Sequence, residues 1–440
     1  MNNQPMIKKI LHIIWNERHN NTWLVLEIIA ASIMLWLAID PLITLKRLDN
    51  IDDGYDLTGT YVVNMEKYKP YHPKYEWGNN SDSVVAENFM NLYDIVRSLP
   101  EVESYCFTSR FSGSPGDNSA MMYGPVHKEI ISNEELTHEK ANDKGTYFSG
   151  YLSFNIDGSD IFKTFGIKDA LTGKIFTPRK DDTDKNIYIS ESAAEKYFGS
   201  AQEAIGKHLY LSNSRMTISG VINNIQAVDY KEHGLHCILP QNTQISYIVD
   251  FRLHIRLKEG TDAHTFEKKF RQDIAPTLTS GNVHFESILS NKAIRDLQNE
   301  ARGIFIKIRL YTAMALFSLF TVFLGTLSAF WIRTSARKGE IGIMRSIGAS
   351  RLTIVKQFVI ETSLIVNIGF GAAIIFVLHY LHINGFADPM KNNPLEGIKV
   401  MQFAVVTAIS YAIVMTTAIC SAAIPVWRIT KILPADALRE

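Results

Sequence analysis

Four apolar stretches constrain this chain more than any other feature. They run from about Trp23 to Ile43, Tyr311 to Ile332, Phe358 to Leu381 and Met401 to Ile424. A bilayer core about 30 Å thick needs roughly 20 such residues in a helix. Unpaired backbone groups and open sheet edges cannot sit in lipid, so each stretch is predicted to cross as an α-helix. The first has too long an apolar core for a leader peptide and no small-residue cleavage site after it, so it reads as an uncleaved anchor.

Orientation follows from Lys and Arg near the span ends. Lys8, Lys9 and Arg18 precede span one; Arg333, Arg337, Lys338, Arg345 and Arg351 lie between spans two and three; Arg428, Lys431 and Arg439 follow span four. The gap between spans three and four has only Lys391 and Lys399. Both termini are therefore expected in the cytoplasm. Arg302, Lys307 and Arg309 lie on the outer side of span two, but long translocated segments are largely exempt from the charge rule.

The expected order is a cytoplasmic N-terminal segment (1–21), span one (22–45), a large outer domain (46–300) and a membrane domain (301–440). In the N-terminal segment Ile7, Ile10, Leu11, Ile14 and Trp15 recur at helical spacing, giving an amphipathic helix for the inner leaflet or for packing on protein. Lys and Arg (45) balance Asp and Glu (45), so no net charge draws the chain to nucleic acid.

The outer segment alternates strand and helix patterns. Val85, Phe89, Leu92, Val96 and Leu99 mark one helix face stopped by Pro100. Residues 249–257 alternate apolar and polar, a half-buried strand, and Ala263, Phe266, Phe270 and Ile274 mark a second helix. Between them, residues 186–190 and 216–225 read as strands around a short helix. A helix-and-strand unit on each side of a differently patterned middle predicts one subdomain interrupted by an inserted second. From Ser290 the sequence stays helix-compatible into span two, predicting an outward stalk. The fold class is thus an α-helical membrane protein with four spans and a mixed α+β extracytoplasmic domain of two subdomains.

No catalytic pattern emerges. The Gly-Lys pairs at Gly173 and Gly206 lack the upstream glycine of a phosphate-binding loop and are followed by Ile175 and His208. His233, His236 and Cys237 lack a fourth ligand at usable spacing, and the acids at 181–184 lack the calcium-loop pattern. No metal or cofactor is expected in this chain. Cys106 and Cys237 would lie outside the cytoplasm and either pair or stay free, while Cys420 reads as a small buried hydrophobe. Ionisable residues inside spans are functional candidates by default. Glu27 and Glu361 lie about a turn from the cytoplasmic boundary and Asp40 near the outer one, within reach of interfacial water. Gly369 and Gly371 suit close helix packing.

The gap between spans two and three reads RKGEIGIMRSIGAS. Arg337, Lys338 and Glu340 keep it in water, while Ile341, Met344 and Gly348 share a helical face. Gly348 can end the helix in a left-handed conformation and Ser350 can cap the next. It is either a docking helix that passes force into two spans or an ordinary charged loop anchoring them.

This stretch and its continuation through Glu361 resemble the signature of MacB/FtsX-like ABC transporter permeases. Residues 161–178 and 186–226 resemble the family's MacB-type periplasmic core domain, and the end of the chain resembles its C-terminus at Pro425, Arg428, Pro434 and Leu438. The resemblance implies a dimer with a second permease, through spans one and two, and a cytoplasmic ABC ATPase that binds the ATP. Glu340, Ile341, Gly342, Met344, Arg345, Gly348 and Ala349 would form the coupling helix. ATPase closure would be relayed to the outer domain without a channel through the bilayer, in the bacterial inner membrane. MacB carries a fused N-terminal ATPase, whereas this chain begins only about twenty residues before span one, so the ATPase is expected on a separate chain. Family members export drugs, peptides or toxins, extract lipoproteins, or regulate cell-wall hydrolases. The size of the outer domain favours the first two, which would add a periplasmic adaptor and an outer-membrane channel. A signalling subunit acting on an extracytoplasmic enzyme or sensor is the alternative, and a passive anchored binding module the third reading.

Overall fold

The computed structural model describes residues 18–132, 134–137, 146–156, 158–179, 181–229, 233–242, 251–384 and 396–431. The N-terminal amphipathic segment, Pro434 and Leu438 lie outside them. The chain divides into two compact units, residues 48–304 and the helices before and after them.

Helix α1 (Arg18–Asp49) leads into the first of these units. There, strand β1 (Thr60–Lys67) is followed by α2 (Asp82–Arg97) and β2 (Val102–Ser109). Val85, Phe89, Leu92 and Val96 are buried on α2, on the face their spacing predicts. Short strands β3 (Met121–Tyr123) and β4 (Val126–His127) precede β5 (Phe148–Phe154) and α3 (Ile161–Phe165). Next come β6 (Asn186–Ser190), α4 (Glu191–Phe198), α5 (Ala201–Ala204), β7 (His208–Leu211) and β8 (Ser214–Ile222). Gly199, at φ 89°, ends α4. Strands β6 and β8 pair in parallel, with α4 in the connection. The unit closes with β9 (His236–Gln241), β10 (Phe251–Leu257), α6 (Ala263–Lys269), β11 (Thr279–Ser280), β12 (Val283–Ser290) and α7 (Asn291–Ala301).

The strands form one sheet in the order β11-β12-β1-β10-β2-β5-β9-β6-β8-β7-β4, with β3 beside β5. Three apolar cores lie along it, and two of them mark its halves. One gathers Val63, Phe89, Phe107, Leu253 and Ile288, from before and after the middle of the unit; the other gathers Phe148, Ile189, Leu209 and Leu239 from within it. This is the predicted interrupted subdomain. The two halves nevertheless share a continuous ladder, joined where Phe107 and Thr108 of β2 pair with Phe154 and Ser153 of β5.

Strand β10 departs from the expected half-buried pattern. Phe251, Leu253 and Ile255 are buried as predicted, but His254 on the opposite face is buried too. Its ring lies 5.3 Å from that of Phe165 on α3 and bonds Asn291 of α7. Both faces of the sheet are therefore covered here, which alternation in one strand cannot announce.

The second unit is a bundle of α1 with α8 (Ile304–Ala336), α10 (Arg351–Asn384) and α11 (Glu396–Ile429), and a short α9 (Lys338–Ser346) between α8 and α10. All four long helices are long and apolar enough to cross a membrane. Each outruns its apolar stretch by several residues, because helical hydrogen bonding continues into the polar flanks. The expected stalk is broken: α7 stops before Arg302, and Gly303, at φ 70°, separates it from α8.

The cysteines are free. Cys106 and Cys237 are each buried in apolar surroundings and do not pair. Cys420 corrects the sequence reading, because its side chain points out of the bundle.

Candidate functional site

Helix α9 is short, so its geometry depends on how its ends are held. Glu340 in the first turn and Arg345 in the last match the helix dipole. Gly348, at φ 99°, turns the chain, with the Ala349 amide donating back to the Met344 carbonyl at 2.9 Å. The Ser350 hydroxyl then accepts from the Thr353 amide at 3.1 Å, capping α10. The stop and the cap fall where the sequence predicts them.

Three long helices hold α9. Glu361 of α10, 1% exposed, accepts from Arg333 of α8 at 2.9 Å and from Arg337 at 3.3 Å. Arg337, which immediately precedes α9, also reaches Glu340 at 3.3 Å. At the far end Arg345 donates to the Thr430 carbonyl, just past α11, at 2.6 Å. The buried Arg333 and half-buried Arg337 guanidiniums lie near aromatic rings, Arg333 5.1 Å from Phe330 and Arg337 5.6 Å from Phe358. Paired charges with planar, multidentate cations are the arrangement that lets an ion group persist in a buried site.

The faces of α9 differ from the sequence reading. Ile341 is 4% exposed and joins the bundle core with Phe330, Ile354 and Phe358, and Gly342 is buried beside it. Met344 is half-buried, while Gly348 is exposed. The outward apolar residues are Ile343 (50%) and Ile347 (81%), followed by Leu352 at the start of α10. Ile341 and Met344, three apart, and Ile343 and Ile347, four apart, both fit helical spacing, and the two pairs face directions about 110° apart. Only the position of the bundle decides which pair is inside.

Glu361 therefore belongs with α9. Glu27 does not: it is half-buried on α1, its carboxylate against Gly325 of α8, where an added Cβ would come within 2.0 Å of its oxygens. Gly369 serves similarly, with Ile28 of α1 packed on its Cα. Asp40 of α1 accepts from Gln402 of α11 at 2.5 Å, and the same amide donates to Thr44 at 2.8 Å. These groups join helices to one another.

The remaining candidates are occupied structurally. His233 bonds the Asp52 carbonyl at 2.7 Å. Burial pushes the His236 imidazole down to about 4, so it is neutral at pH 7. Asp182 accepts from the Tyr188 and Ser219 hydroxyls, and Asp184 from the Asn242 amide at 2.7 Å. Among the described residues no three His, Cys, Asp or Glu side chains are placed to hold a metal.

The chain has clear relatives. Residues 75–273 match the MacB-like periplasmic core domain and residues 312–434 the FtsX-like permease C-terminal domain. It is 26% identical over 227 residues to the macrolide export ATP-binding/permease protein MacB of Bartonella quintana (strain Toulouse), covering 50% of this chain and 33% of that protein. It is 27% identical over 223 residues to the protein of the same name from Rhodopseudomonas palustris (strain HaA2), covering 50% and 34%. The chain thus spans about a third of the length of these curated relatives. The crystal structure of the periplasmic region of MacB from Actinobacillus actinomycetemcomitans aligns with 57% of this chain and 98% of its own, at 12% identity and a TM-score of 0.29.

Proposed function

We propose, for a chain that carries a MacB-like periplasmic core domain and an FtsX-like permease domain and so belongs with the MacB/FtsX-like permeases, that it is a permease subunit driven by a separate cytoplasmic ABC ATPase. Helix α9 docks on that ATPase. The closing and opening of the ATPases move α8, α10 and α11 together and reshape the extracytoplasmic domain, expelling a drug, peptide or lipoprotein. Two permeases assemble around the cycle, α9 faces the cytoplasm, and an adaptor with an outer-membrane channel continues the path. ATP stays with the partner, and this chain needs no cofactor.

One observation carries the reading: α9 is tied to three long helices yet leaves Ile343 and Ile347 uncovered. A loop that merely anchored span ends would need no outward apolar pair beyond its buried Ile341. Large exposed apolar side chains beside charges are the composition of a docking surface.

The test is affinity capture of the tagged full chain from its own membranes, read by mass spectrometry for a polypeptide with a phosphate-binding loop. Such an ATPase is expected with the native chain. It should be lost from the Ile343→Asp/Ile347→Asp variant at an unchanged melting temperature. Capture without any ATPase, or a variant that keeps it, would overturn the assignment.

A further inference from the structure

Helix α7, the last element before α8, is attached to its domain in an unusual way. A surface helix normally docks through an apolar stripe. The buried residues of α7 are two amides, Asn291 and Asn299. Burying an amide is costly unless hydrogen bonds replace those to water, and both side chains are bonded across the domain.

Asn299 donates to Asp229 at 2.7 Å and accepts from Asn118 at 2.9 Å. Asn118 closes the ring by accepting from the Asp229 backbone amide at 2.7 Å. Just past the helix, Arg302 donates to the Asn118 carbonyl. One turn before Asn299, Arg295 pairs with Asp53 at 2.6 Å and lies 3.5 Å from Asp229. At the other end Asn291 bonds His254, which bonds Thr108 at 3.0 Å.

Asn118 is itself placed with some effort. It sits at φ 54° in a buried loop, residues 112–118, that also holds Gly113 and Gly116 at positive φ. A Cβ on either glycine would collide with its surroundings. The loop is thus shaped to present Asn118 to α7.

We infer that Asn118, Asn299 and Asp229 are positioning residues that form a polar latch, registering α7 against the loops before β3 and after β8, and that this latch opens and recloses as α8 moves. The inference rests on the permease reading above. Hydrogen bonds are directional and weaken steeply with small displacements, whereas apolar packing resists separation through the whole contact area. A joint made of amides and one carboxylate therefore has two discrete states, engaged and released. Among the described residues, one oxygen of Asp229 and the Asn291 amide nitrogen are buried without a hydrogen-bond partner.

Hydrogen exchange on the full chain in lipid nanodiscs tests the latch itself. Asn299→Ala should speed exchange across residues 291–301 about tenfold, the size expected from losing one buried hydrogen-bonded pair, while β6 and β8 keep native rates. The exchanged pair Asp229→Asn/Asn299→Asp, which restores donor and acceptor in opposite places, should return α7 to near-native protection. Unchanged α7 exchange, uniform acceleration everywhere, or failure of the exchanged pair to rescue would each overturn the latch. Its opening is tested on the complex captured from native membranes: ATP turnover should raise α7 exchange several-fold over the nucleotide-free state. A working ATPase with no such rise would overturn the opening. Absence of any ATPase would sink the permease reading instead, leaving the nanodisc measurements to decide the latch.

Discussion

His254 shows what a single buried side chain does to the whole domain. Its Nδ1 faces the Asn291 carbonyl oxygen, which can only accept, so the proton sits there and Nε2 accepts from Thr108. Burial, with the Arg252 charge second, holds this imidazole down at about 3, against an ordinary value near 6.5. The folded chain therefore binds fewer protons than the unfolded one between those two values. The stability this group contributes is complete above pH 6.5 and is lost as pH falls toward 3. The melting temperature of the chain in nanodiscs should fall on acidification from pH 7 to pH 4, and His254→Gln should flatten part of that slope. His236, held down at about 4, contributes to the same slope. A His254→Gln profile parallel to the native one would refute the assignment. Neither histidine announced this role in the sequence, where His254 looked like the solvent side of a half-buried strand.

The elements of the membrane unit differ in how far sequence alone identifies them. The four long helices were legible because an unbroken apolar run satisfies every side of a helix in lipid. Helix α9 was legible as a helix, with its glycine stop and serine cap, but not in its orientation. Two of its apolar pairs satisfy the same periodicity, and Glu361, its anchor, is 21 residues downstream of Glu340 with no local pattern linking them. That anchor carries a prediction. Glu361→Gln leaves Arg333 buried without its counter-charge and should destabilise the bundle by about 3–5 kcal/mol, read as the detergent-denaturation midpoint. Ile343→Asp should move that midpoint far less, since its side chain is half exposed and outside the buried core. Equal midpoints for Glu361→Gln and the native chain would show that the ion group does not hold α9.

Across the whole molecule, sequence periodicity recovers the interrupted subdomain but not the continuous sheet, because strands are joined by pairings it does not record. The Asn118–Asn299 contact spans 181 positions and involves two ordinary polar residues, so nothing local marks it. Oxidation state was also open from sequence, since Cys106 and Cys237 could have paired. Both thiols are buried and pushed up by burial, so they are poor nucleophiles until the domain opens. N-ethylmaleimide should leave both unmodified in the native chain and label both after denaturation without reductant, measured by intact mass. Denatured, unreduced protein in which these two stay unlabelled would reveal a disulfide.

Ser290 is both the last residue of β12 and the cap of α7, its hydroxyl accepting from the Ala293 amide at 3.1 Å. No loop intervenes between plate and crank, and only Arg302 and Gly303 separate that crank from the next shaft. In the permease cycle proposed above, a few degrees of rotation delivered at Gly303 would find no slack to take up, and β12 would either follow or let go of the helix.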